Sequence, residues 1–233
     1  MKIQLLLLLI FILSSCQEKD DWQNLFNGKD LSNFEILNGE ASYEIEGNTI
    51  VGISKENTRN TFLATKEKYS NFILEFEVFA DTILNSGVQF RSIADPNIMD
   101  GTVHGYQCEI ESSPRKWAGG IYDESRRGWI YPLKENPTGQ FAFKRNAWNK
   151  YRIEAIDDEI RTWVNGIQCA NLKDNMTKEG IIGLQVHSID KVEQIGKKIK
   201  WRKLLIVTEN LEQYRWKSEE YAKLIDLTKE DSK

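Results

Sequence analysis

The chain is short of the residues that mark several common protein classes. It carries three cysteines, two histidines and four prolines in 233 residues. So few cysteines exclude a disulfide framework, and Cys108 and Cys169, the two beyond the N-terminal segment, read as separate buried thiols even in an oxidising compartment. His104 and His187 show no H-x-H or H-E-x-x-H spacing, which argues against a closed zinc site. The scarcity of proline and a modest glycine count argue against disorder. No excess of one charge exists either: 31 Lys and Arg against 35 Asp and Glu leave a net −4, interspersed along the chain. That balance provides neither a basic footprint for nucleic acid nor a polybasic membrane patch.

Long apolar runs are also missing, apart from Leu5 to Leu13 in "MKIQLLLLLIFILSSC". A bilayer-spanning helix needs about 20 residues, so this run is an address rather than a permanent span. The run and the "LSSC" that closes it resemble the lipobox of bacterial lipoproteins, in which the cysteine, here Cys16, is lipidated and becomes the N-terminus. Expected boundaries are a signal peptide over 1–15, a lipidated tether over 16–22, one domain over 23–209 and a tail or short helix over 210–233. The membrane is then a partner through the lipid anchor only, and the location is the bacterial cell envelope, on its periplasmic or outer surface. Roughly 218 residues follow the signal peptide, enough for one β domain with a substantial core.

What is abundant is alternation of period two. "YEIEGNTIVGI" reads as two strands around Gly47-Asn48, and "NFILEFEVFA" places Phe72, Leu74, Phe76 and Val78 on one face. "YRIEAIDDEIRTWVNGIQCANL" reads as a strand, a turn at Asp157-Asp158, a strand, a turn at Asn165-Gly166 and a third strand. Many short strands between turn signals, with no long 3.6-residue period, predict an all-β sandwich of two antiparallel sheets, a jelly roll.

Three strands pair an apolar face with an unusual polar one: Gln89 and Arg91 in "NSGVQFRS", Gln107, Glu109 and Glu111 in "HGYQCEIE", and Gln185 and His187 in "GIIGLQVHS". Glutamine, arginine, glutamate and histidine with few lysines suit hydrogen bonding to hydroxyls better than plain solvation, so a groove on the outside of one sheet is expected. At a strand rise of about 3.3 Å, Glu109 and Glu111 lie roughly 6 to 7 Å apart, near enough to perturb each other or share a cation. Loops "PRKW" and "YDESRRGWIYP" are expected at its mouth. There Trp117, Trp129 or Tyr131 could stack on sugar faces, and Arg115, Tyr122, Asp123, Arg126 or Arg127 could hold hydroxyls. Alternatively, Arg126 and Arg127 pair with Asp123 and Glu124 and stiffen the loop.

Taken together, "GYQCEIESSPRKWAGGIYDESRRGWIYP", "AFKRNAWNKYRIEAIDDEIRTWVNG", "IIGLQVHSI" and "KIKWRKLLI" resemble the 3-keto-disaccharide hydrolase domain. The resemblance implies a concanavalin A-like jelly roll acting on an oxidised sugar. Such a domain cleaves 3-keto-glucosides by 1,2-elimination, or hydrates the 3-keto-2-hydroxy-glucal that elimination leaves, with hydrolysis as the sum. Where many relatives have Asp, this chain has Glu111.

A C3 ketone acidifies the C2 proton. The chemistry therefore needs a base over C2, a group that stabilises the developing oxyanion and an acid at the leaving oxygen. Glu109 or His187 could be the base, Arg91 or a divalent cation the oxyanion group, and Glu111 or His187 the acid. Glu109, Glu111 and His187 are also the candidate ligands of manganese, cobalt or calcium. A carbohydrate-binding module without catalysis would share the fold and the groove, but has little use for two carboxylates beneath a sugar. A retaining glycosidase would carry an E-x-D-x-E strand, which this chain lacks.

Overall fold

The computed structural model describes residues 21–217 and 222–229. The expected signal peptide and the lipobox residue Cys16 lie outside the described residues. No described helix is long and apolar enough to cross a membrane.

Strands dominate the chain. In order they are β1 (Gln23–Asn24), β2 (Phe34–Asn38), β3 (Ser42–Glu46), β4 (Thr49–Ile53), β5 (Thr61–Thr65), β6 (Phe72–Ala80), β7 (Asn85–Ile93) and β8 (His104–Glu111). There follow β9 (Ile121–Glu124), β10 (Gly128–Tyr131), β11 (Asn149–Ile156), β12 (Glu159–Val164), β13 (Ile167–Lys173), β14 (Ile181–Val186), β15 (Lys198–Val207) and β16 (Ile225–Asp226), with one turn of α-helix, α1 (Leu211–Tyr214), and short 3-10 turns among the described residues. One sheet has nine strands, ordered β16-β13-β12-β11-β6-β15-β4-β3 with β1 also on β15. The other has seven, ordered β10-β9-β8-β7-β14-β5-β2. All pairings are antiparallel except β13 with β16, so the expected jelly-roll sandwich is the fold.

Period-two alternation builds the core. Phe72, Leu74, Phe76 and Val78 of β6 face Val88 and Phe90 of β7, Tyr106, Cys108 and Ile110 of β8, and Ile182, Leu184 and Val186 of β14 in one buried cluster. Each such side chain contributes about 1.5–3 kcal/mol through the apolar surface it removes from water. Stacked rings tie layers together, with Phe76 and Tyr151 centroids at 5.2 Å and Phe90 and Tyr106 at 5.6 Å. Cys108 and Cys169 are both buried and unbridged. The β12–β13 hairpin turns on Asn165 (φ 50°) and Gly166 (φ 83°), the two left-handed residues that an Asn-Gly hairpin supplies.

The C-terminal segment completes the nine-stranded sheet. The outer face of that sheet carries Arg152, Glu154 and Arg161, buried in mutual ion pairs. Trp216 lies over them, with its ring 5.6 Å from Trp163 and the Arg152 guanidinium 4.6 Å from its centroid. The end of the expected tether joins in, since Trp22 meets Tyr214 edge to face at 5.7 Å.

Candidate active site

The outer face of the seven-stranded sheet is assembled by register. On β7 and β8, Asn85 pairs with Glu111, Gly87 with Glu109 and Gln89 with Gln107. Next to β8, Tyr122 of β9 stands beside Gln107, and Trp129 of β10 beside Tyr122. On the other flank, Gly183 of β14 pairs with Gln89, which puts Gln185 and then His187 on the same face. The result is a cleft of about 230 Å³ lined by Asn60, Asn85, Gln107, Glu109, Arg115, Tyr122, Glu124, Trp129 and His187. Gly87 makes room at its floor: a Cβ there would come within 2.3 Å of the Gln107 amide carbon.

Glu109 is the most perturbed acid of the cleft. Asn85 Nδ2 donates to its Oε1 at 2.6 Å, Gln107 Nε2 to its Oε2 at 3.3 Å, and Arg115 Nη2 reaches Oε1 at 3.4 Å. Burial nevertheless dominates, and together with the nearby Glu111 charge it pushes the Glu109 carboxyl up to about 7, against the pull of Asn85, Arg115 and Gln107. Burial likewise raises Glu124 above the usual carboxylate range, opposed by His187 and by Asn60.

Glu111, two residues on, has a different task. Its oxygens accept from Ser113 Oγ at 2.8 Å, Arg115 Nε at 3.1 Å, Arg115 Nη2 at 2.8 Å and the Trp117 backbone N–H at 2.7 Å. Arg115 is thereby held between two indoles, its guanidinium carbon 4.7 Å from the Trp117 centroid and 4.6 Å from that of Trp129. Those rings meet edge to face at 4.8 Å. Trp117 thus supports Arg115 while Trp129 also lines the cleft. Among the described residues no group of three or more His, Cys, Asp or Glu side chains is placed to hold a metal ion. The expected ligands Glu109, Glu111 and His187 do not converge as a set, and four donors already occupy Glu111.

His187 lies just past the end of β14. Its Nδ1 is 2.6 Å from the Ser188 carbonyl oxygen, a contact that requires the proton on Nδ1 and leaves Nε2 as the exchangeable position. Asn60 anchors that turn by accepting from the Ser188 N–H at 2.9 Å, and donates to Glu124 at 3.3 Å. Beneath the cleft, Gln89 donates to Gln107 at 2.8 Å and accepts from Ser92 at 2.6 Å, so it positions Gln107. Both amide atoms of Gln185 are buried without a hydrogen-bond partner among the described residues.

Five expected site residues lie elsewhere. Arg91 is not in the cleft: a bulge follows Phe90 in the β7–β8 ladder, Arg91 takes φ 46°, and alternation is lost there. Its buried guanidinium instead donates to Ser70 O at 2.6 Å, Asp157 O at 2.8 Å and Asn71 Oδ1 at 2.9 Å, joining β7 to two turns of the other sheet. Asp123 points away from Tyr122 and Glu124, as strand parity demands. It binds Arg126 at 2.6 Å and Arg127 at 2.5 Å, and Arg127 also holds Asp174 at 2.5 Å. Asp123, Arg126 and Arg127 therefore form a structural ion-pair cluster. Tyr131, an expected stacking ring, is fully buried and donates to the Lys223 carbonyl. Glu124, expected as an ion-pair partner of Arg126 and Arg127, lines the cleft instead, while Asp174 takes that place; Asn60 and Asn85 are cleft residues that the sequence pattern did not single out.

The fold and the groove define a β-sandwich domain of the carbohydrate-related kind, with a carboxylate, a guanidinium and an imidazole around one polar cleft. The chain belongs to the 3-keto-alpha-glucoside-1,2-lyase-like domain family, whose model matches residues 21–207. No curated protein matches it in sequence. Solved structures share the fold. Two Parabacteroides distasonis proteins, provisionally assigned as glycosyl hydrolases, are similar at 16% identity (TM-score 0.58, 81% of this chain and 94% of that one) and 21% identity (TM-score 0.56, 80% and 98%). The carbohydrate-binding module CBM66 from Bacillus subtilis is similar at 16% identity, with TM-score 0.51 over 75% of this chain and 95% of that one.

Proposed function

We propose that this protein cleaves the glycosidic bond of 3-keto-glucosides by 1,2-elimination at the cleft around Glu109, from a lipid anchor at Cys16 in the bacterial envelope. The observation that carries this is the Glu109 carboxyl, buried on a strand and raised to about 7. A group poised near neutrality both accepts and returns a proton at physiological pH, which is what a general base in the groove requires. A binding platform gains nothing from a carboxylate whose charge is costly to bury.

In the proposed sequence, Glu109 takes the C2 proton and the C2–H electron pair forms the enolate with the C3 carbonyl. Arg115, fixed by Glu111 and its two indoles, faces the developing negative charge and replaces Arg91 in the role of oxyanion stabiliser. The enolate then expels the C1 oxygen as C1=C2 forms, and protonated His187 gives its Nε2 proton to the departing oxygen. Addition of water across C1=C2 gives the hydrolysis product. Gln107, Asn85 and Asn60 supply amides for sugar hydroxyls, and Trp129 an aromatic face. Incubation with a 3-keto-glucoside and, separately, with the unoxidised glucoside tests the proposal. Only the oxidised sugar should be cleaved; cleavage of both, or of neither, contradicts it.

A further inference from the structure

Past Asn85 and His187 the groove opens into a second cleft of about 400 Å³. Those two residues line both clefts, so the compartments adjoin, with His187 at their boundary. Their walls differ in chemistry. No aliphatic side chain lines the first, whereas Ile83, Leu84 and Ile189 line the second. This wall is held in place by its own bonds: Gln194 Nε2 donates to the Ile83 carbonyl at 2.9 Å, and Ser112 Oγ to that of Thr82 at 2.6 Å. Ile83 nonetheless remains 42% exposed. Leu84 is buried behind this wall and Ile189 is partly buried, so Ile83 with the accessible part of Ile189 forms an apolar patch among the polar side chains of the second cleft, where the first has none.

We propose that the second compartment receives the leaving group and that its ligand class is an aryl-type aglycone rather than a second sugar. This rests on the assignment of the first compartment as the sugar cleft. The hydroxyls of a hexose would lose water against Ile83 and Ile189 there, while an aromatic ring would bury apolar surface on both partners. His187, at the boundary, then stands where the oxygen between sugar and aglycone must lie.

The test is binding to the full chain carrying Glu109→Gln, which should hold 3-keto sugars while turning them over about 10² to 10⁴ more slowly. The 3-keto forms of phenyl glucoside, methyl glucoside and a glucose disaccharide are titrated while the Trp129 indole and the Ile83 and Ile189 methyl resonances are followed by NMR. The phenyl glucoside should bind about tenfold or more tighter than the methyl glucoside, shift both isoleucines, and lose that advantage in Ile83→Asn. Equal affinity for phenyl and methyl glucosides, or tighter binding of the disaccharide with shifts at both isoleucines, overturns the inference while Trp129 still reports the sugar. A Trp129 signal that no 3-keto-glucoside moves removes the sugar cleft itself, and the inference with it.

Discussion

Arg115 grips Glu111 through both Nε, at 3.1 Å, and Nη2, at 2.8 Å. That contact separates two glutamates which the sequence presents as equals, since it commits Glu111 to positioning and leaves Glu109 lining the cleft. If Glu109 acts as a carboxylate, kcat/KM should rise as pH increases through about 7. Arg115 lowers the Glu109 value and Glu111 raises it. Arg115→Gln should therefore move this limb to higher pH and Glu111→Gln to lower pH, each by about half a unit or more. Two pH profiles decide it, and shifts in the same direction contradict the assignment.

The same perturbation makes Glu109 a cost to folding. Its folded value of about 7 lies above its ordinary value of 4.5, so the native state binds the extra proton between those limits. Stability attributable to this group is full below about pH 4.5, declines as pH rises towards 7, and stays low above it. Glu109→Gln has no such penalty, and its stability advantage should grow from pH 4.5 to 7, reaching on the order of 3 kcal/mol, then level off. Thermal melting of both proteins across that range measures the gap.

Arg91 should behave as a structural residue. With three acceptors on two turns and almost no exposure of its own, its replacement by Met takes the donor from the Ser70 and Asp157 carbonyls and the Asn71 amide and should lower stability by about 3 kcal/mol. Where the variant still folds, sugar affinity should hold within about threefold, in contrast to Arg115→Gln. Melting temperature and affinity measured on one sample separate the two roles.

Much of this site was legible because strands alternate. Gln107, Glu109 and Gln185 face outward and Tyr106, Cys108 and Leu184 inward, as period two requires, and the same rule extends to Asn85, two positions before Gly87 and four before Gln89. Parity also separates Asp123 from Tyr122 and Glu124 on β9. Arg91 escaped because a bulge breaks the count between Phe90 and Ile93, and nothing in "QFRSI" announces a left-handed arginine. The different fates of Glu109 and Glu111 depend on Arg115 folding back over β8 from the next loop, a contact only four residues away in sequence but set by the loop's path and without periodic signature. Asn60, from the residue before β5, arrives by long-range packing against Ser188 and Glu124.

The lipid anchor is tested by Cys16→Ser. The wild-type protein should partition with membranes, and the variant should appear in the soluble envelope fraction. Membrane partitioning unchanged by the substitution would assign the anchor to something other than this cysteine.

Exchange at C2 of the sugar tests the central claim most directly. A 3-keto-glucoside incubated in deuterated solvent with the wild-type chain should acquire deuterium at C2, and a C2-deuterated substrate should be cleaved more slowly than its protiated form. Glu109→Gln should lose exchange and cleavage together, by about 10² to 10⁴. Bond cleavage with neither C2 exchange nor a C2 isotope effect, and with full activity retained in Glu109→Gln, would contradict elimination through Glu109.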